Sequence, residues 1–268
     1  TATRTEQKSV EVPASLTHKS KLEIQLDSPV QQKELFNSMA GVRVTQTGST
    51  VGHMTSIRMP VNTGPYYLFL QDGIPVQSSG FYNHNGLAYT NYSSAGSTEV
   101  LKGAGTALYG SDAIAATINV RSIEPYEEQG QSISVEGGSD EFWRVGVSSG
   151  GAISEAADLS SSFSHMQNAG WREHTDSSRQ ELSIKHVQAL SDDSTLKTHF
   201  SINHTTAEMA GSLIGRDALE NNRESIGDLA SILERGLDPK RKFDFARLSS
   251  EWVDESKKDV RLSAIAYL

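Results

Sequence analysis

The 268 residues include no cysteine, which excludes a disulfide framework, a thiolate zinc cluster, an iron–sulfur centre and a cysteine nucleophile. Positive charge is scarce as well. Lys and Arg number 24 against 33 Asp and Glu, for a net charge of -9 and a pI near 5.4, so the chain lacks the basic footprint that nucleic-acid phosphates require. Long apolar runs are missing too. Tyr66 to Leu70 is one of the longest, about a quarter of the roughly 20 residues that a spanning helix needs. A helical membrane protein is thereby excluded. A β-barrel membrane protein is not, because its strands alternate apolar and polar residues and keep mean hydropathy low; here it is -0.42.

The sequence has no H-E-x-x-H pair and no carboxylate-rich calcium loop, and no nucleophile constellation is read from it, so no catalytic residue, metal ligand or cofactor is expected. His53 and His84 stand in loops without a partner at metal-ligand spacing and read as polar loop histidines.

Charge and aromatic usage change part-way along the chain. Residues 1–126 hold 9 basic and 9 acidic side chains, whereas residues 127–268 hold 15 and 24 and so carry the whole excess. Seven of eight Tyr precede residue 127, and all three Trp follow it. These shifts predict two domains, 1–126 and 127–268, with a boundary near Pro125.

In the first half, alternation predicts a strand over Leu22 to Leu26, and Val30 to Met39 reads as a helix. Strands are expected at Val42 to Thr45 and Tyr66 to Leu70. A tight turn at Asp72-Gly73 and a long polar loop from Gln77 to Asn91 follow. In the second half, seven segments repeat with period two, among them Trp143, Val145 and Val147; Leu196, Phe200 and Ile202; and Ala246, Leu248 and Trp252. Their alternate neighbours, such as Lys197, His199, Asn203, Arg247 and Glu251, are polar. The pattern predicts strands with one apolar and one wet face, and the connections between them alternate long and short. A soluble antiparallel β-domain fits this half, and so does a transmembrane barrel, whose periplasmic turns are short and extracellular loops long. In the long connection, Ile226, Leu229, Ile232 and Leu233 have helical spacing, which predicts a short amphipathic helix, either packed at the mouth or moving as a lid.

Residues Ser97 to Val120 read as strand, glycine turn, helical turn at Thr106 to Tyr109 and strand again. Gly103 and Gly105 are expected to allow positive φ. Nucleotide motifs fail here: no third glycine completes a dinucleotide fingerprint, and Ser111 stands where a phosphate-binding loop needs Lys. The run Glu99, Val100, Leu101, Lys102, Gly103, followed by Ala107, Leu108, Tyr109, Gly110 and by Ile118, Asn119, Val120, closely resembles the plug-domain signature of TonB-dependent outer-membrane receptors. Other pieces fall in that family's order. Thr1 to Arg4 looks like the first plug strand, and Val12 to Ser15 follows. Ser56, Ile57 and Arg58 stand at the family's I-R-G, with Met59 in place of the glycine. Leu68 to Val76 resembles its central V-D-G-V-P strand.

The resemblance implies an α+β plug domain followed by an antiparallel transmembrane β-barrel, with about seven of roughly 22 strands present, in the outer membrane of a Gram-negative bacterium. It implies lipid around the barrel and TonB as periplasmic partner, through a segment expected to lie outside this chain, and no enzyme function. Arg58 and Lys102 would take the family's role of plug cations held by glutamates on later barrel strands, although Lys102 replaces an arginine and cannot form its bidentate fork. Gly103, Gly105 and Gly110 would shape the motif's turn.

Ligand would bind where apical plug loops meet the barrel loops. The expected contacts are Asn62, Thr63 and Tyr66 in one loop and Gln77, Ser78, Phe81, Tyr82, Asn83 and His84 in the other. These loops are neutral, offering aromatic bodies and amide hydrogen bonds, so a weakly charged ferric chelate such as a hydroxamate siderophore is favoured over an anionic one. Haem, cobalamin or an oligosaccharide remains the alternative within the family, and a soluble β-rich adhesion protein the alternative outside it.

Overall fold

The computed structural model describes residues 14–268 apart from 48–49, 82, 212, 214, 217–219, 226–232 and 259. The expectations for Thr1 to Arg4, for Val12 and Pro13, for Tyr82 and for the helix from Ile226 lie outside the described residues.

The first half folds around a five-stranded sheet. Its strands are β1 (Ser15–Ser20), β4 (Tyr67–Gln71), β5 (Ile74–Pro75), β6 (Ala95–Lys102) and β7 (Ala116–Ser122), in the order β1-β6-β7-β4-β5. Only the β4–β7 pair is parallel. A separate ribbon joins β2 (Arg43–Gln46) to β3 (His53–Ser56). Helices α1 (Lys21–Asp27) and α2 (Gln32–Asn37) precede the ribbon, and the single turn α3 (Thr106–Tyr109) links β6 to β7. The core gathers Phe36, Met39, Val44, Ile57, Tyr67, Phe69, Val100, Ile118 and Val120. Every residue of β4 is buried, which explains its continuous apolar run.

Two local readings are corrected. Leu22 to Leu26 is helical, not extended: Ser20 caps α1, and the Glu23 side chain reaches back to the Ser20 backbone, so a capping box overrides the alternation. Leu22 and Leu26 are exposed and only Ile24 joins the core, as a helix with one buried contact requires. Within the polar loop, Asn83–Tyr89 forms a 3-10 helix. The glycine turn is also only half as expected. Gly103 has φ +121 and Gly110 φ +78, but Gly105 has φ -110. Its glycine serves close approach instead, because a Cβ there would stand 2.7 Å from Thr117 Oγ1.

The second half is one antiparallel sheet of seven strands in sequence order: β8 (Gly130–Gly137), β9 (Trp143–Ser154), β10 (Ala157–Asn168), β11 (Ser177–Ser191), β12 (Ser194–Glu208), β13 (Lys240–Lys257) and β14 (Val260–Tyr267). At one end the connections are the short turns 155–156, 192–193 and 258–259, and at the other they are 138–142, 169–176 and 209–239. The sheet is open, a partial barrel wall.

Its two faces invert the usual rule. Val145, Ile202 and Leu248 point outward and are exposed, with Leu196, Phe200 and Trp252 on the same face by register. The opposite face buries Ser160, Ser164, Arg179, Glu181, Lys185, His199, Asn203 and Arg247. A water-soluble sheet buries its apolar face. An exposed apolar face above a buried polar one is what a lipid-facing barrel wall presents.

Candidate functional site

The polar face of the wall holds the plug through four levels of contact. The order of residues along β12 and β13 sets the depth, with the long-loop end as the mouth.

At mid-depth the centre is Asp72. The Asp72-Gly73 turn between β4 and β5 has φ +52 and +75, the two left-handed positions of a type I′ hairpin, which Asp-Gly favours. That turn projects the Asp72 carboxylate onto the wall. Its Oδ1 lies 3.5 Å from Lys185 Nζ and its Oδ2 2.9 Å from His199 Nδ1. Ser122 donates to it from the backbone N at 2.9 Å and from Oγ at 2.6 Å. Burial alone would raise the Asp72 pKa, but Lys185, His199 and the Ser122 hydroxyl outweigh it and hold the carboxyl well below its ordinary value. His199 Nε2 continues to Ser183 Oγ at 2.9 Å. Arg247 donates to Gln71 O and Ile74 O, the residues flanking the turn, at 3.3 and 3.4 Å.

One level toward the short-turn end, Glu124 of the plug lies 3.3 Å from both Lys185 Nζ and Lys197 Nζ. One level toward the mouth, Arg179 and Glu181 form a buried pair at 2.6 Å. Glu181 accepts from Tyr92 N and Ser93 N at 3.1 and 2.7 Å, while Arg179 donates to Ala88 O and Thr90 O. Asn203 Nδ2 also donates to Ala88 O, at 2.7 Å.

At the mouth, the 3-10 helix meets the start of β13. Arg241 Nη1 donates to Asn85 Oδ1 at 2.8 Å, and Tyr89 packs edge-on against Phe243 at 5.6 Å. Behind it, Leu87 N donates to His53 Nε2 at 3.2 Å. Burial, with His84 nearby, lowers the His53 pKa to about 3. His84 is half-buried 3.3 Å from Thr47 Oγ1, and burial followed by the Arg241 charge lowers its pKa as well. Both rings are therefore neutral at physiological pH.

The residues expected to touch ligand fall into separate groups. Asn62 is spent on its own loop, donating to Pro60 O and accepting from Gly64 N. Thr63 is half-buried, and Tyr66 and Ser78 are exposed. Phe81 is 53% exposed beside Gly80, whose N donates to Asp112. Gln77 is half-buried. Asn83 and His84 begin the 3-10 helix at the mouth. Arg241 brings a positive charge to that otherwise neutral loop, which the sequence of the loop alone does not reveal.

Arg58 and Lys102 stay on the plug. Arg58 is exposed beside Gly103, and Lys102 Nζ donates to Ala40 O at 2.8 Å. Lys102 pairs with Ala116, and Ala116 with Tyr67, so both cations stand at the end of the plug sheet opposite Asp72. The ion pairs to these seven strands set plug carboxylates on wall cations, Asp72 and Glu124 on Lys185 and Lys197. His199 and Arg247 were legible as inward-facing from strand parity; that Asp72 and Glu124 are their partners was not.

Residues 8–117 match the TonB-dependent Receptor Plug Domain family. Among curated proteins, the vitamin B12 transporter BtuB of Vibrio vulnificus is 36% identical over 143 residues, covering 52% of this chain and 23% of the transporter. BtuB of Vibrio cholerae serotype O1 is 27% identical over 175 residues, covering 64% and 28%. The chain thus spans about a quarter of the length of these relatives. Among solved structures, the unliganded ferric citrate transporter FecA superposes with a TM-score of 0.78 at 15% identity, over 96% of this chain and 40% of FecA. The ferric yersiniabactin uptake receptor FyuA from Yersinia pestis gives 0.76 at 19%, over 95% and 40%. The signature run, a plug docked on an inverted seven-stranded wall and these likenesses agree: residues 8–117 are a TonB-dependent receptor plug domain, packed on an open wall of strands like those of the Gram-negative outer-membrane receptors it resembles.

Proposed function

We propose that the whole receptor imports an extracellular metal chelate of low net charge, driven by TonB from the periplasm, and that residues 1–126 are its plug and 127–268 its first wall strands. The observation that carries this reading is the mouth surface: a 3-10 helix presenting His84 and Asn85 beside Arg241, with Tyr89 and Phe243 behind them. The two histidines are neutral, and Arg241 sets a positive charge against the loop. Such a surface suits a bulky ligand held by aromatic contact and a few hydrogen bonds.

Ferric hydroxamates and corrinoids both meet that description. The Vibrio relatives are vitamin B12 transporters, which favours the corrinoid; the neutral plug loops at the mouth are equally compatible with the siderophore. Ligand contact is assigned to Thr63, Tyr66, Gln77, Ser78, Phe81, Tyr82, Asn83 and His84 as before, with Asn85 and Arg241 added and Asn62 reassigned to holding its loop. Arg58 and Lys102, at the far end of the plug sheet, are proposed to meet carboxylates elsewhere in the complete barrel.

Titration of the full-length receptor with cyanocobalamin and with a ferric hydroxamate, each at two ionic strengths, tests the reading. One of the two is expected to bind with little salt dependence, since a neutral ligand gains little from long-range steering. Binding of neither, or a steep loss of affinity with salt, would replace the proposal with a polyanionic ligand.

A further inference from the structure

The wall grips the plug on one side and leaves a gap on the other. Inward positions of β11 to β13 carry the charged side chains that hold it, among them Arg179, Glu181, Lys185, His199 and Arg247. The inward positions of β8 to β10 carry Ser132, Ser134, Gly146, Ser160, Ser162 and Ser164 instead. These side chains are too short to reach across, and a cavity of about 510 Å³ lies between them and the plug.

Hydroxyls without partners line that cavity. Ser160 and Ser164 are 6% and 7% exposed, and the Ser162 Oγ is buried. None of the three finds a hydrogen-bond partner among the described residues. A buried hydroxyl left so costs free energy unless water or a guest molecule satisfies it. It both donates and accepts and carries no charge, so this surface suits a neutral, hydrogen-bonding guest in many orientations.

Helix α1 forms part of the plug side of the cavity, through Lys21, Ile24 and Gln25. None of its residues is buried. Leu22 and Leu26 are exposed, and Ile24 is its contact with the core; a Lys19–Asp27 pair adds a tie to β1. The polar contacts of residues 21–29 with the wall, among the described residues, sit at the two ends of the segment. Toward the mouth, Ser28 Oγ donates to Glu136 Oε2 at 2.6 Å and Arg144 Nη1 to Pro29 O at 3.0 Å. Toward the short-turn end, Lys21 Nζ lies 3.2 Å from Glu128 Oε2, both partly exposed, and such pairs contribute little to stability. Ser28 also holds φ +38, a left-handed backbone at which the chain turns sharply out of the helix.

We propose that imported cargo crosses the receptor along the hydroxyl-lined face of β8 to β10, and that α1 is the part of the plug that moves aside to open this passage. The inference rests on the import reading above and gives it a route. The cavity falls within the roughly 300–1,000 Å³ of ordinary ligand pockets, and a bulky chelate needs the further room that α1 vacates. Releasing the contacts at the two ends of the segment frees α1 while the Asp72 and Glu124 ion pairs persist, so the plug stays seated on β11 to β13 as the passage opens.

The test is cysteine accessibility in cells carrying the full-length receptor, with the wild type as labelling background, since these 268 residues contain no cysteine. Ser162→Cys reports on the cavity, and Ser160→Cys on the same strand is a second reporter should the first not reach the membrane. Ser201→Cys is the control: its hydroxyl is equally buried and unpartnered, but on β12 against the seated side of the plug. A membrane-impermeant maleimide is added outside, with cyanocobalamin or a ferric hydroxamate, in strains with and without functional TonB. The labelling rate tracks how often a site opens, so that of Ser162→Cys is expected to rise about tenfold or more where TonB works and cargo is present, and that of Ser201→Cys to stay at its resting level. Internalised cargo is counted in the same cells. Internalisation with both cavity cysteines unlabelled, or with Ser201→Cys labelled as fast as Ser162→Cys, overturns the passage and leaves the import reading standing. No internalisation of either compound overturns the import reading and the passage with it.

Discussion

Asp72 Oδ2 and His199 Nδ1 lie 2.9 Å apart across the boundary between plug and wall. The carboxylate belongs to a hairpin turn at the edge of the plug sheet and the imidazole to the middle of a barrel strand, so this contact fixes the depth at which the plug sits. Lys185 and Ser122 complete the cage around the carboxylate.

Removing one member of a buried charged set leaves the others uncompensated, at a cost of about 3–5 kcal/mol. Asp72→Asn in the full-length receptor is therefore expected to speed amide exchange of the 67–76 hairpin by about a hundredfold or more, at roughly 1.4 kcal/mol per factor of ten. Unchanged protection would mean that the ion cluster does not hold the plug.

Acid should loosen the plug through His53. Its folded pKa is about 3 against roughly 6.5 in an unfolded chain, so the folded pKa is depressed. The contribution is complete above about pH 6.5 and is lost progressively as pH falls toward about 3, by at most on the order of 4–5 kcal/mol. Thermal unfolding followed across that window should show a slope that flattens in His53→Gln. Asp72, whose pKa is also depressed, adds a further loss below about pH 4. A wild-type slope equal to that of the variant would remove His53 from the account.

The wall's orientation can be tested on adjacent residues of β13. Leu248 faces outward and Arg247 is buried against the plug. Leu248→Arg should cost about 2–4 kcal/mol for folding into bilayers if it lies near the midplane. A cost under about 0.5 kcal/mol would place that face in water.

Gly105→Ala should destabilise the plug by about 1–3 kcal/mol through overpacking, because the added methyl meets Thr117 Oγ1 at 2.7 Å. Gly105→Ala combined with Thr117→Ala should recover much of that loss in thermal unfolding. No recovery would assign the cost to the backbone instead.

Local and periodic features were the legible ones. The helical turn at Thr106 to Tyr109, the Asp72-Gly73 hairpin and all seven wall strands follow from turn chemistry and period-two alternation. Strand parity placed His199, Asn203 and Arg247 inward, since one residue of slip would reverse every side chain. Leu22 to Leu26 was misread because three alternating apolar residues are too short a signal to outweigh a capping box. The partners of the wall cations were not legible. Asp72 and His199 are 127 positions apart in sequence, and only the docking of plug on wall brings them together. Arg241 is hidden for the same reason: it lies in the second half, far in sequence from the Asn85 loop it reaches.

The proposal of TonB-driven uptake through this plug is tested most directly in living cells. Cells carrying the full-length receptor, with and without functional TonB, are given radiolabelled cyanocobalamin or a ferric hydroxamate, and surface-bound and internalised label are counted separately. The account predicts surface binding of one ligand in both strains and internalisation only where TonB works. Equal internalisation without TonB, or no surface binding of either ligand, would contradict it.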